Sequence, residues 1–481
     1  MIKRPIFWGC AAAFVVLLFA CAALPPETPP GKGETVSQAE PIPEKKPASA
    51  AVRFAEQVQV TLEQEGVKDA LAFFDHLPEE LTGDTGLIIL QASLYFSDRQ
   101  HDRAAEILDA FLVDQPDNDD ALVLRAMVAG GMGDQTARQK IINKLLGTNR
   151  NHPRANIMAA EDQVLHHRYR DAQGFYQRAL QGEPENIDAL LGLGQMAYYL
   201  RNDQDSSRAF NEILRIQPKN GDALSYLAKL EAEKGQYRRA QEYIEQAIAL
   251  DSGQSDFWNN YGLYLHHLGN YDRAIFAWKK AADLDPSSFL TYVYLGGMYD
   301  QLGDIDAAYE SYRTALKLNA RYYFVWAPIG VIAWQKEHWK ESREAFTQAY
   351  QGDSANVSYL LLIAACYLKE GMVRESRSFL TKAMRPLDKQ SLEYAMVRFY
   401  FDSVENGLSQ KVLGETNRTL RGKMLYYLGL FHDIQGERLL AEKYYRQVRN
   451  MEHPGFFEYR MSTWALESIA STGGTSLEEL Q

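Results

Sequence analysis

Ten histidines, three cysteines and 63 carboxylates are the side chains of this 481-residue chain that could carry acid–base, nucleophilic or metal chemistry. Their spacing supports none of it. No His-Glu-x-x-His, Gly-x-Ser-x-Gly, phosphate-binding glycine loop or Cys-x-x-Cys occurs. His166-His167 and His266-His267 are adjacent pairs, which diverge on a helix and do not chelate. Cys10, Cys21 and Cys366 are too few for a disulfide framework or a cysteine-rich zinc site. Catalysis needs converging groups in a closed pocket. The chain therefore reads as a non-enzyme with no metal, no cofactor and no small-molecule substrate.

Composition narrows the partners. Hydrophobic content is 46%, enough for a core, and the formal net charge is −12. An acidic surface without a basic stripe repels a phosphate backbone, which excludes nucleic acid. That leaves proteins or peptides as the partners.

The elements that must position any binding residues repeat every 34 residues from about residue 51. The clearest unit, 255–288, carries Trp258, Tyr261, Gly262, Leu265, Gly269, Tyr271, Ala274, Trp278, Ala281 and Pro286 at positions 4, 7, 8, 11, 15, 17, 20, 24, 27 and 32. Positions 4, 7, 8 and 11 share one helical face, as do 20, 24 and 27. Glycine at 15 ends a first helix and proline at 32 follows a second. The pattern resembles the tetratricopeptide repeat. Ten units keep the register over 51–390. Position 8 is Ala or Gly from Ala92 to Ala364, and Val58 marks a degenerate first unit. Arg138, at packing position 20, is expected to loosen the third unit. After Lys389 the register fails: 391–421 reads as a degenerate unit with turn chemistry over 402–419. A further unit fits 422–455, then a capping helix over 456–471 and a flexible tail over 472–481. The resemblance implies an all-α, right-handed superhelical solenoid of about twelve tetratricopeptide helix pairs with a C-terminal capping helix and a concave groove.

In that family, positions 2, 5, 9, 12 and 13 of the first helices line the groove. The resemblance therefore points to Gln195, Tyr198, Tyr199, Lys229 and Asn259, and to His266, Asp300, Trp334 and Gln335, as groove-binding residues. Aromatics beside amide and charged groups suit a peptide, which offers backbone polar groups and apolar anchors. No unit has Lys at position 5, so the carboxylate clamp of chaperone-tail-binding repeats is not expected. Cys366 shares its column with Met196, Leu230 and Ile332 and reads as a buried apolar residue.

The N-terminus has its own logic. Lys3 and Arg4 precede an uncharged apolar run from Ile6 to Leu24, the layout of an export signal over 1–20. Leu18-Phe19-Ala20-Cys21 resembles a bacterial lipobox, with Phe19 bulkier than usual, and implies lipidation (palmitate) at Cys21. The alternative is an uncleaved inner-membrane helix. Both place the remainder outside the cytoplasm. Ala22 after the cysteine favours, by resemblance to sorted lipoproteins, the outer membrane facing the periplasm. Seven prolines over 25–50 make 21–50 a disordered tether. The expected function is a membrane-anchored scaffold in the bacterial envelope. It would bind envelope proteins or peptides in its groove to assemble or regulate a machine for pili, secretion, outer-membrane biogenesis or cell-wall remodelling. The alternative is a periplasmic chaperone-like carrier of unfolded or lipid-like cargo.

Overall fold

A computed structural model of the protein describes residues 49–471. The export signal, Cys21, nearly all of the Pro-rich tether and the 472–481 tail lie outside the described residues. Among the described residues every regular element is helical. The chain divides into two compact units, with the division after Leu230. Each is an all-α solenoid of antiparallel helix pairs. Unit one (up to Leu230) includes the pairs Asp119–Met132 with Gln135–Thr148, and Ile187–Tyr199 with Asp203–Ile216. Unit two (from Glu231) includes Ser255–His267 with Tyr271–Leu284, and Phe289–Leu302 with Ile305–Leu318.

Position 15 bends the chain between the helices of a pair. It is left-handed in every regular unit from residue 85 onward. Six units use glycine, among them Gly133 and Gly269 at φ 78° and 77°. Four use Arg99, His167, Arg201 and Glu337 at φ 57–60°. A Cβ in that region costs about 1–2 kcal/mol, partly offset by the larger unfolded-state entropy of glycine. Glu337→Gly is therefore expected to stabilise the protein by about 0.5–1 kcal/mol, read as a higher urea midpoint.

Position 8 and position 24 are matched in size. A Cβ on Gly194, Gly262, Gly296 or Gly330 would stand 2.5–2.8 Å from the ring of Phe210, Trp278, Tyr312 or Phe346 respectively. Where position 24 is the smaller Leu108, Ile142 or Leu380, position 8 is Ala92, Ala126 or Ala364. Tyr176 faces Ala160 and so breaks the rule. Its ring lies instead over Gly192, where a Cβ would meet it at 2.2 Å. Alanine at 262 would gain about 1 kcal/mol of helix propensity but must displace a buried indole, at about 1–3 kcal/mol. Gly262→Ala is expected to destabilise by about 1 kcal/mol alone and to stabilise in a Trp278→Leu background. Urea titrations of the four proteins in that cycle measure the sign change.

Apart from Arg138, position 20 from residue 85 onward holds alanine or a serine that donates to the position-8 carbonyl. Ser206 reaches the Gly194 oxygen at 2.9 Å and Ser342 the Gly330 oxygen at 2.8 Å. Arg138 does not loosen its unit, contrary to the sequence-based expectation. It is buried, its guanidinium fills the space beside Gly130, and it donates to the Met158 carbonyl at 3.3 Å. It also pairs with Asp162 at 3.3 Å and Glu161 at 3.4 Å. A long side chain is accommodated because Gly130 leaves room and the next helix supplies acceptors.

The irregular stretch after residue 390 is a shortened pair. Leu392–Asp402 ends on left-handed Ser403, and the second helix, Leu408–Gly414, has seven residues, with Leu408 and Val412 buried. So short a second helix lets the following Arg418–Ile434 close onto Val357–Lys369. There Lys369 meets Asp433 at 3.1 Å and the Tyr427 hydroxyl donates to the Ser358 carbonyl at 3.2 Å. The final helix, Phe457–Ser471, packs on the preceding pair and also reaches back to Trp326–Gln335.

Candidate functional site

In unit one, helix Ile187–Tyr199 carries Gln195, Tyr198 and Tyr199, and Gly221–Glu233 carries Lys229. Gln195, Tyr198 and Lys229 are half-buried, and Tyr199 is 39% exposed. The rings form a continuous set. Tyr199 stacks on Tyr169 at 5.2 Å and 25°. Tyr198 meets Tyr199 edge-on at 5.7 Å and Tyr226 at 5.9 Å. Tyr226 stacks on Phe210 at 4.9 Å and 13°. The Lys229 ammonium lies 4.4 Å from the Tyr226 ring centre, a cation–π contact. Burial first, then the Tyr199 hydroxyl, pushes the Tyr226 phenol far above its usual range, so it stays protonated. The result is a row of flat apolar faces edged with hydroxyls, an amide and an ammonium. Such a face can stack on apolar or aromatic side chains and hydrogen-bond to peptide carbonyls.

Tyr169 and Tyr226 belong to this set and were not among the residues picked by groove position. Tyr226 sits at position 6, and its signal is an aromatic pair sixteen residues apart: Phe210–Tyr226 here, and Trp278–Tyr294 in unit two, stacked at 5.5 Å. The spacing brings position 24 of one repeat under position 6 of the next.

In unit two, four of the five corresponding residues are engaged within the protein. The Asn259 side-chain oxygen accepts from the Thr291 hydroxyl at 2.9 Å. A His266 ring nitrogen lies 3.2 Å from the Gln301 side-chain oxygen. Asp300 pairs with Arg460 of the final helix at 2.8 Å. Trp334 meets Trp339 edge-on at 5.0 Å and packs against the C-terminal core. Gln335 is exposed. The nine residues thus fall into an aromatic face in unit one, four residues of unit two held by internal partners, and the exposed Gln335.

Two other groups bear on chemistry. Cys366 is buried, and burial pushes its thiol up to about 12, so it holds no thiolate at neutral pH. Burial raises the Glu161 carboxyl to about 7 against the opposing pull of Arg138. No helix among the described residues is long and apolar enough to cross a membrane.

Known proteins resemble this chain through its repeats. A profile described as tetratricopeptide repeat matches residues 157–221 and 227–289, and a second of the same description matches 291–322. The human protein O-mannosyl-transferase TMTC1 is 28% identical over 184 residues, which are 37% of this chain and 21% of that protein. The tetratricopeptide repeat-containing protein trd-1 of Caenorhabditis elegans is 24% identical over 38% of this chain and 23% of its own length. The chain therefore spans about a fifth of the length of these two relatives. The type IV pilus assembly protein PilF of Pseudomonas aeruginosa is 26% identical over 38% of this chain and 73% of that protein. Its solved structure superposes with a TM-score of 0.39 at 24% identity, covering 45% of this chain and 98% of that one. With helix pairs in 34-residue register, a left-handed residue at position 15 and the matched profiles, the stretch from 157 to 322 consists of tetratricopeptide repeats.

Proposed function

We propose that the protein is a scaffold, not an enzyme, anchored to the bacterial envelope through a lipidated Cys21, and that it binds an extended peptide segment of an envelope protein across the unit-one face. The observation that carries this reading is the ring set Tyr169–Tyr199–Tyr198–Tyr226, with Tyr199 exposed to solvent. Rigid aromatic side chains supply large contact area at low entropic cost and dominate binding energies. Resemblance to PilF, whose name states type IV pilus assembly, supports a pilus machine as the first pathway to test. Other envelope machines remain the wider class.

The test is a crosslinked pull-down from detergent-treated envelopes with tagged full-length protein, followed by affinity measurement on the captured partner. Tyr198→Ala with Tyr199→Ala is expected to weaken binding by about tenfold or more. Cooperative melting should survive, because Tyr199 is exposed. Unchanged affinity moves the site off this face. Cys21→Ser is expected to abolish incorporation of labelled palmitate; labelling that persists in the variant overturns lipidation at Cys21.

A further inference from the structure

In unit two, the first-helix face that family geometry assigns to a partner already holds a helix. Phe457–Ser471 lies against it by contacts of distinct kinds. The Phe457 ring is parallel to Tyr359, at 6.3 Å and 2°. The Glu458 carboxylate accepts from the Ser358 hydroxyl at 2.5 Å and the Tyr427 hydroxyl at 3.0 Å. Arg460 donates to Asp300 at 2.8 Å and lies 4.9 Å from the Trp464 ring centre. Ser358 is position 2 and Asp300 position 12 of their repeats, both groove positions. Glu458, Met461 and Ser462, at i, i+3 and i+4, form the buried stripe, and half-buried Phe457, Arg460 and Trp464 flank it.

We propose that this face is a binding site for an amphipathic helix, that Phe457–Ser471 is its resident ligand, and that a partner helix with an aromatic, an acid and an arginine at the same spacing takes its place. The chemistry of recognition is that of the resident helix: hydroxyl donors for a carboxyl group, a carboxylate for a guanidinium, and an aromatic face for a ring. The docking is incompletely satisfied, which suits exchange. Glu458 is fully buried, yet its second oxygen has no hydrogen-bond partner in the protein, nor has the Arg460 Nε. Burial raises the Glu458 carboxyl against the pull of Lys423. A half-satisfied buried polar network holds less firmly than an apolar contact of the same size. The connection over 451–456 contains left-handed Glu452, Pro454 and Gly455, so the helix can leave without unwinding Arg438–Asn450. While tethered, it competes at an effective concentration on the order of millimolar.

The experiment uses the full chain with a protease site inserted between His453 and Pro454. A fluorescent peptide of residues 454–481 should bind the cut protein, seen as a rise in anisotropy, and bind the uncut protein at least about tenfold more weakly. Glu458→Ala or Arg460→Ala in the peptide should each weaken binding about tenfold. Arg460→Asp in the peptide should bind better to Asp300→Arg protein than to wild type. Equal binding to cut and uncut protein, no binding to either, or indifference to both peptide changes overturns the proposal. If cutting unfolds the protein, hydrogen exchange on the intact full chain decides. Amides of 457–471 should exchange at least about tenfold faster than those of Val357–Lys369 and Arg418–Ile434, and faster still with Arg460→Ala. Equal protection of all three helices makes the last helix a fixed part of the core and sinks the idea.

Discussion

Replacing Trp278 by alanine is expected to destabilise unit two by about 3–5 kcal/mol, the range for a large aromatic removed from a packed core. The indole is 2% exposed, stacks on Tyr294, and donates to the Asn259 carbonyl at 3.2 Å. Its floor is Gly262, which has no side chain to move into the space. The cavity therefore persists, and cavities that cannot collapse lie at the costly end. Because the repeat that holds Trp278 packs on the repeats to either side, the damage should be local. Hydrogen exchange should rise most in Ser255–His267, Tyr271–Leu284 and Phe289–Leu302, and little in helices before residue 200. A uniform rise along the chain would contradict nearest-neighbour stability.

Arg138→Ala is expected to cost about 2–4 kcal/mol in unit one, while Arg138→Met costs distinctly less. Truncation leaves Asp162 and Glu161 without a counter-charge and opens a space beside Gly130. Methionine refills that space but also leaves the acids unpaired. The figure lies below the fully buried case because the Glu161 side chain retains 29% exposure. The pH dependence has a definite sign. The folded Glu161 carboxyl is raised to about 7 from 4.5. The folded state therefore holds this proton more tightly than the unfolded state does. Its favourable contribution is full below about 4.5 and is lost as pH rises towards 7. Without Arg138 the carboxyl should be raised further, so the gap between variant and wild type should widen from pH 5 to pH 8. Glu161→Gln should flatten the wild-type profile. Urea midpoints at the two pH values measure both effects, and a gap that does not change with pH removes Glu161 as the cause.

The repeat architecture was legible because every contact that defines it recurs at a fixed short separation. Gly262 and Trp278 lie sixteen residues apart, Phe210 and Tyr226 likewise, and left-handed position 15 returns every 34 residues. Such pairs leave a periodic trace in residue size and type. The same trace carried Tyr198, Tyr199 and Lys229 to the ring set, through their column positions. Tyr226 was missed because position 6 is not a groove column, although its sixteen-residue aromatic spacing was present to be read. Arg138 was misjudged because its acceptors, Met158, Glu161 and Asp162, sit in the next repeat and Gly130 in its own, and no column records that combination.

The amino-acid sequence by itself determined the helix pairs, their register and the small residue at position 8, because those depend on neighbours at constant spacing. Tertiary structure alone decided what became of Asp300, Trp334 and Ser358. Glu458 meets Ser358 across 100 residues and Arg460 meets Asp300 across 160. Neither separation is a multiple of the repeat. The contacts arise because a second helix shortened to Leu408–Gly414 lets Arg418–Ile434 close onto Val357–Lys369 and carries the last helix onto the first-helix face of unit two. A single non-periodic shortening redirects everything that follows it.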